Sequence, residues 1–321
     1  MRYELPDELR QLARWQEGIL TARQVSTAGL SRDVPRSRLR QGRWQRIHSG
    51  VYATYTGPLP RSATLWAAVL RAGPGALLSF GTAAELDGLA DEQSDPIHIT
   101  LPASRRVTRI PGTRLHLSVR AVQARHPVAT PPRTRIEETV LDLAGAAELI
   151  DDAAGWVTRA VGRGLTTPAR LRAAMDQRGR LRWRAELAEL LTPEMAGIHS
   201  ALEYRYLLDV DRPHALPRAA RQARVTVGDR TQYRDVLYED YGLAVELDGQ
   251  AGHAGDARWR DIRRDNHAAS AGIATLRYGW TDIHGRPCQV AAQVASVLRR
   301  NGYRGARPCS PGCPVPPAAA G

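Results

Sequence analysis

The sequence predicts a protein of the α/β class, organised as a multi-domain α+β chain. Its 321 residues exceed what one hydrophobic core usually covers, because domains commonly hold about 100 to 200 residues. Short helical segments separated by glycines, followed by an alternating stretch, fill the beginning of the chain. Strands and helices alternate from residue 197 onward. These three observations predict a winged helix at the N-terminus, a mixed helical middle region and a compact C-terminal α/β unit.

The first predicted domain, residues 1–57, consists of three helices and a wing. Periodicity, N-caps and glycine stops place the helices at 7–17, 21–29 and 31–41, and the two-stranded wing at 44–55. Pro35 falls in the first turn of the third helix. It is tolerated there because amides of a first turn have no intrahelical acceptor.

A middle domain, residues 58–193, follows a proline-rich junction and contains no catalytic motif. Its predicted strands lie at 97–101 and 113–120. Its predicted helices lie at 62–72, 79–89, 134–147, 149–162, 167–177 and 182–191. The role of this domain stays open.

The third predicted domain, residues 194–303, is the compact α/β unit. Helices are predicted at 197–209, 256–271 and 287–300, and strands at 221–227, 232–238, 243–248 and 273–278. Residues 304–321 are rich in proline and end in alanines, which predicts a disordered tail.

The charge of the chain favours a polyanionic partner. The formal net charge is +12, and the sequence contains no lysine, so every one of its 45 basic side chains is arginine. Arginine is permanently charged and binds phosphate or guanine through two parallel hydrogen bonds. GC-rich coding also favours arginine over lysine, but it does not explain the net positive excess. Nucleic acid is therefore the predicted partner class.

Only three cysteines occur, too few and too late in the chain for a disulfide framework. Cys309 and Cys313 have the spacing of half a zinc site, but no second cysteine or histidine pair stands nearby, so the sequence does not favour zinc. The start of the chain has no apolar leader and no stretch is long enough to span a bilayer. We expect a cytoplasmic protein that is not anchored to a membrane.

The third helix carries a strongly basic face. Side chains spaced four, four and three residues apart line one side of a helix, where they can meet phosphates or base edges in a major groove. This spacing relates Arg32, Arg36, Arg40 and Arg43. With Arg38 and Arg46, these form the predicted DNA-binding set. The alternative is a solvated cationic surface without a partner.

A Gly-Leu-Ser entry, a basic helix and a wing follow one another in residues 19–53, at Gly29, Leu30, Ser31, Gly42, Arg43, Trp44, Gly50, Val51 and Tyr52. This pattern resembles the N-terminal winged helix-turn-helix of the AbiEi-like family, the antitoxins of type IV abortive-infection systems. Pro35 departs from the family's usual run of helix formers. The resemblance implies an autorepressor that binds operator DNA.

Three acidic side chains are predicted to converge near the end of the chain. A turn at residues 239–242 would place Asp235 directly opposite Glu246, with Asp248 on the same face of the sheet. Like charges at this spacing destabilise a sheet unless a cation neutralises them. Mg²⁺ or Mn²⁺ is the expected cofactor, because carboxylates and substrate phosphate are its usual ligands. The opposite face would supply core residues, namely Val236, Val245 and Leu247.

Further residues could complete a catalytic site. Glu203 would orient a water, and His253 would act as general base or acid. Arg264 and Asp265 would hold phosphates or position the carboxylates. Taken alone, Glu203 could be an ordinary exposed helix acid and His253 an ordinary loop histidine. Only their joint arrangement favours catalysis.

Residues 197–301 resemble the Vsr-like endonucleases, which belong to the restriction-endonuclease-like PD-(D/E)XK superfamily. The resemblance rests on Glu203, Asp235, residues 246–249, His253, residues 264–266 and Arg277. It implies a mixed sheet flanked by helices and Mg²⁺-dependent cleavage of DNA. Where the superfamily has an acid-x-Lys pair, this chain has Glu246-x-Asp248 and no lysine. Vsr-like members also lack that lysine, so its absence favours either this branch or a catalytically inactive descendant.

Two hypotheses of function follow. The first is a metal-dependent DNA endonuclease targeted by its own winged helix. The second is an antitoxin-like transcriptional regulator with an inactive nuclease fold and a toxin protein as partner. A homodimer formed through the helical middle is compatible with both hypotheses.

Overall fold

The computed structural model describes residues 5–192, 200–227, 230–248 and 272–318. The chain divides into two compact units, Met1–Leu143 and Ala144–Gly321. Both units combine helices with small sheets, and the prediction of a multi-domain α+β protein is therefore confirmed.

In the N-terminal part of unit 1, the three helices and the two strands of the wing follow one another as the sequence predicts. Its helices are α1 (Asp7–Trp15), α2 (Ala22–Thr27) and α3 (Asp33–Arg40), and its strands are β1 (Ile19–Thr21), β2 (Gln45–His48) and β3 (Val51–Ala53). Thr21 caps α2 through a capping box with Gln24. The sequence does not predict β1, which is three residues long and pairs antiparallel with β3, in a sheet of order β1-β3-β2.

The core beneath this part explains why the short helices are stable. Leu9, Leu20, Val25 and Trp44 are buried in one apolar cluster, and Leu39 of α3 packs against it. Helices of six to nine residues are marginal in isolation, so this shared core supplies most of their stability. The position of α3 is thereby fixed by its inner face.

The rest of unit 1 contains a second small sheet of order β4-β5-β6. Its strands are β4 (Leu77–Leu78), β5 (Ile97–Pro102) and β6 (Thr113–Ser118), and its helices are α4 (Arg61–Ala72), α5 (Phe80–Leu86), α6 (Ala121–Ala124) and α7 (Ile136–Ala146), which ends just beyond the unit. Strand β4 is antiparallel to β5, whereas β6 is parallel to it.

Two histidines of this sheet form a stacked pair that is sensitive to pH. His98 Nδ1 lies 3.1 Å from His116 Nε2, and the ring of Phe80 stacks on His116 with centroids 4.0 Å apart. Burial, with the neighbouring His98 and Arg114, lowers the pKa of His116 to about 4, and burial also lowers the pKa of His98. Both rings are therefore neutral in the folded protein near pH 7.

We expect unit 1 to lose stability as the pH falls from 6.5 towards 4. A histidine whose pKa is lower in the folded state takes up its proton more readily when unfolded, so its contribution is complete above pH 6.5 and is lost progressively as the pH falls to about 4. The expected loss is about 1 to 2 kcal/mol, reduced by the partial exposure of the rings. Denaturant titrations at several pH values should show a shallower pH dependence for His116→Phe than for the wild type. Equal slopes would contradict the prediction.

Unit 2 is built on a mixed four-stranded sheet of order β10-β9-β8-β7, in which only β10 and β9 are parallel. The strands are β7 (Ala220–Val227), β8 (Arg230–Tyr238), β9 (Leu243–Asp248) and β10 (Ala274–Gly279). The helices are α8 (Ile150–Gly162), α9 (Pro168–Asp176), α10 (Arg184–Leu190), α11 (Ala201–Arg205), α12 (Trp280–Gly285) and α13 (Pro287–Arg300). The predicted helix 256–271 lies outside the described residues.

The predicted helix 197–209, where the structure describes it, changes from an α-helix to a π-helix along its length. Ser200 caps α11 by accepting a hydrogen bond from the amide of Glu203, and from Tyr206 to Asp211 the backbone continues as a π-helix. Tyr206 and Tyr238 are buried here, their hydroxyl oxygens 3.0 Å apart. Short π-helical stretches are rare and often lie at functional sites.

The C-terminal tail packs against unit 2 as far as Pro317, although its composition predicts disorder. Ala306 and Val315 are buried in the same core as the helix α13. Arg299 of α13 donates hydrogen bonds to the carbonyl oxygens of Ala306 and Pro317, at 3.1 and 2.8 Å. The buried apolar side chains and these bonds offset the low intrinsic order of a proline-rich segment.

None of the helices in the described part of the chain is long and apolar enough to cross a membrane.

Candidate nucleic-acid interface and acidic site

The basic face of α3 is exposed as the sequence predicts. Pro35 in the first turn is buried, and Leu39 one turn later contacts the core, so this side of the helix points inward. Ser31 Oγ accepts a hydrogen bond from the amide of Asp33 at 3.2 Å and so orders the start of the helix. The exposed arginines of α3 and its flanks are Arg32, Arg36, Arg40, Arg43 and Arg46, while Arg38 is half-buried.

The end of α3 is fixed by a Schellman motif, which places Arg43 beside the wing. The amide of Gly42 donates to the carbonyl of Leu39, and the amide of Arg43 donates to the carbonyl of Arg38, both at 3.0 Å. Gly42 has φ of +65°, a conformation that favours glycine. The chain therefore turns sharply and enters β2 with Trp44 buried against Tyr52.

Little acidic charge competes for these guanidinium groups. Arg36 Nη1 lies 3.4 Å from Asp33 Oδ1, but both side chains are about three-quarters exposed, so this ion pair contributes little. Among the residues that the structure describes, Arg32, Arg40, Arg43 and Arg46 form no ion pair. The face is thus available to an external polyanion.

The hairpin of unit 2 has the predicted register. Val236 pairs with Val245 and Tyr238 with Leu243, and the turn passes through a 3-10 segment to Gly242, whose φ is +55°. The predicted core face is confirmed, because Val236, Val245 and Leu247 are all buried. The next pair in this register would be Asp235 and Glu246, but the ladder ends one residue earlier.

Asp235 lies where the β7–β8 ladder skips a pair and the β8–β9 ladder ends. Its Oδ2 accepts a hydrogen bond from the amide of Leu247 at 2.8 Å, and its Oδ1 accepts one from Gln222 Nε2 at 3.0 Å. The β7–β8 register omits the pair of Gln222 and Asp235, and Gln222 has φ of +45°. The same Nε2 also lies 3.2 Å from Glu203 Oε1, so one amide links two of the predicted acids.

Glu246 is held by a buried arginine. Its Oε1 accepts a hydrogen bond from Arg234 Nη1 at 2.8 Å, and the side chains of Arg234 and Glu246 are 1% and 9% exposed. A guanidinium in this position neutralises the carboxylate that the sequence assigns to a metal ion. Neither Gln222 nor Arg234 was predicted as part of this site, because strand alternation alone does not reveal them.

The described carboxylates do not form a cluster that could hold a metal ion. Among the side chains that the structure describes, Glu203, Asp235 and Glu246 belong to no group of three potential ligands within binding distance. The backbone of Asp248 ends β9 opposite Gly279, and its side chain lies outside the described part of the structure. His253, Arg264 and Asp265 also lie outside the described residues.

A comparison with known families supports the N-terminal assignment. Residues 7–55 match the model of the family described as "Transcriptional regulator, AbiEi antitoxin". No curated protein matches the chain significantly. The match covers α1 to β3 and includes all of the predicted DNA-binding arginines. The N-terminal part of this chain is therefore a domain similar to AbiEi antitoxin transcriptional regulators.

Proposed function

We propose that this protein is a sequence-specific DNA-binding regulator that reads DNA with α3 and the adjoining wing. The observation that carries the proposal is the exposed row of arginines on the outer face of α3, opposite the face that Pro35 and Leu39 fix in the core. A helix presented in this way fits the major groove, which is about 12 Å wide. The family model that matches residues 7–55 is one of transcriptional regulators.

The arginines divide into two roles by position. Residues near the N-terminus of a recognition helix contact base edges, so Arg32 is suited to base readout, whereas Arg36 and Arg40 lie further along the helix and are suited to phosphates. Arg43 and Arg46, at the end of α3 and in the wing, are suited to the phosphates that flank the groove. Phosphate contacts supply affinity and base contacts supply sequence preference.

Selection from a random DNA pool by the full-length protein tests this proposal. We expect enrichment of a short motif after several rounds, because specific sites typically bind about 10³ to 10⁷ times more tightly than non-specific DNA. The control is the same selection with Arg32→Ala, which should lose preference at the position of the motif that this side chain reads. A recovered pool as random as the starting pool would contradict the proposal.

The description of the matched family as an antitoxin adds a protein partner to the same proposal. Under this proposal the winged helix supplies DNA binding, and a toxin protein would contact another surface of the chain. Co-expression of the full chain with the product of the adjacent gene, followed by affinity purification, tests this part.

A second candidate function is Mg²⁺- or Mn²⁺-dependent cleavage of DNA by unit 2. Two observations favour it. The register of the hairpin points to Asp235 and Glu246 as its next pair, and Gln222 has a left-handed backbone, which matters because strained non-glycine residues concentrate at active sites. Asp235 and Glu246, with Asp248, would hold the ion, which would stabilise charge on the phosphate. The hydrogen-bond donors already bound to Asp235 and Glu246 do not favour such an ion, and this function therefore ranks second.

Supercoiled plasmid incubated with Mg²⁺ or Mn²⁺ distinguishes the two functions. A nuclease would nick or linearise the plasmid, and Glu246→Gln would abolish this activity while preserving the shape of the side chain. Plasmid that stays intact with both metals would exclude the nuclease and leave DNA-binding regulation as the remaining function.

A further inference from the structure

Four side chains from three separate segments of the sequence meet in unit 2. His214 follows the π-helix, Cys288 lies in the first turn of α13, and Cys309 and Cys313 belong to the C-terminal tail. One potential ligand atom from each residue lies within 4.8 Å of all the others. The sequence does not favour zinc, because no second ligand pair stands close to Cys309 and Cys313 in the chain. The fold supplies the two missing ligands from separate elements.

The orientation of His214 is that of a metal ligand. The ring is fully buried, and its Nδ1 lies 2.7 Å from the carbonyl oxygen of Val210. A carbonyl only accepts hydrogen bonds, so Nδ1 carries a proton, and in the neutral ring Nε2 then carries the lone pair. This Nε2 is buried without a hydrogen-bond partner among the described residues. Histidines that bind metals usually donate their other N–H to a carbonyl in the same way.

The spacing of the sulfur atoms fits a shared ion better than a disulfide. Cys288 Sγ lies 3.6 Å from Cys309 Sγ. A disulfide requires about 2.05 Å, whereas two thiolates bound tetrahedrally to one zinc ion at about 2.3 Å are about 3.8 Å apart. A turn over residues 310–313 directs the chain so that Cys313 lies near Cys309. The amide of Cys313 donates to the carbonyl of Ser310 at 3.1 Å, and Gly312 has φ of +86°.

The surroundings hold these four residues in place. The amide of Arg307 donates to the carbonyl of His214 at 3.0 Å, which joins the tail to the segment that carries the histidine. Ala306 and Val315, on either side of Cys309 and Cys313, are buried in the core of unit 2. The ligands are therefore fixed by packing rather than collected from a free tail.

We propose that His214, Cys288, Cys309 and Cys313 bind one zinc ion that fastens the C-terminal tail to unit 2. Three thiolates and one neutral imidazole form a complete tetrahedral set for zinc, which leaves no open position for a substrate. Binding releases three thiol protons and involves no oxidation. The ion is thus structural, and its role does not depend on DNA binding or on the acidic site.

Metal analysis of the full-length protein tests this proposal. Protein purified under reducing conditions without added metal should contain about one zinc per chain. Cobalt substitution should produce the visible absorption of a tetrahedral cobalt site and the near-ultraviolet band of thiolate ligands. Removing zinc with a chelator should lower the melting temperature by at least about 5 °C, because the binding energy contributes to folding.

Substitutions distinguish the proposed zinc ligands from other residues close to them in the sequence. Cys309→Ser/Cys313→Ser changes exposed or half-buried side chains, and we expect it to retain the fold but lose zinc and the cobalt spectrum. His284→Ala is the matched control, because this exposed histidine lies four residues before Cys288 outside the cluster, and it should keep one zinc per chain. Wild-type protein that neither contains zinc nor takes up zinc or cobalt would overturn the proposal. Zinc retained by the double serine variant would equally overturn it.

Discussion

Alanine at both Arg36 and Arg40 is expected to weaken DNA binding about 60-fold at 0.1 M salt. Each phosphate contact contributes about 0.9 to the slope of log affinity against log salt concentration, so the loss of two contacts should flatten that slope by about two. Both side chains lie exposed on the outer face of α3. Fluorescence anisotropy with a labelled DNA duplex, repeated over a range of salt concentrations, measures both quantities.

The matched control is Arg10→Ala/Arg14→Ala. These arginines are exposed on α1, have the same spacing of four, and their removal changes the net charge by the same amount. We expect this variant to keep the slope of the wild type, because α1 is not the recognition helix. Equal losses in the two variants would show that overall charge, and not the face of α3, determines binding.

Methionine at Arg234 is expected to destabilise unit 2 by about 3 to 5 kcal/mol. The substitution removes the guanidinium that now donates to the buried carboxylate of Glu246, and removing one partner of a buried ion pair has a cost of this size. Replacing both partners by apolar residues, as in Arg234→Met/Glu246→Leu, should recover most of the loss. Urea unfolding followed by circular dichroism measures these differences.

Arg286→Met serves as the comparison for this prediction. Arg286 forms an ion pair of 3.0 Å with Asp282, but the two side chains are 57% and 37% exposed, so the expected loss is below about 1 kcal/mol. An Arg234 variant as stable as the Arg286 variant would show that the buried pair does not stabilise unit 2. It would also make Glu246 a candidate ligand for a divalent ion again.

Local patterns were sufficient to predict most of the regular elements. The Thr21 cap, the inward face of α3 and the hairpin turn at Gly242 each depend on residues within a few positions of one another. The register of β8 and β9 followed directly from that turn. Strand β1 was missed because three residues do not reveal a period, and its pairing with β3 is a tertiary contact.

The details of the acidic site depend on contacts between strands and were not predictable in this way. The sequence indicated that Asp235 and Glu246 are neighbours on adjacent strands. It did not show that Gln222 and Leu247 would donate to Asp235, or that Arg234 would turn towards Glu246. An alternating pattern assumes a regular ladder, and here the β7–β8 ladder skips Asp235 and the β8–β9 ladder ends before it.

The cysteine and histidine cluster was missed for a different reason. Sequence motifs for zinc rely on pairs of ligands a few residues apart, and only Cys309 and Cys313 meet that condition. His214 and Cys288 reach the cluster because the π-helix, α13 and the tail pack on one core. Such a set becomes visible only when the fold is known.

Hydrogen exchange of the full-length protein with and without bound DNA tests the central claim most directly, because it reports which segment the DNA covers. Amides of residues 31–46 should exchange more slowly in the complex, while those of α1 in the same domain should change little. Unchanged exchange over residues 31–46, with protection only in unit 2, would contradict the assignment of α3 as the DNA-reading helix.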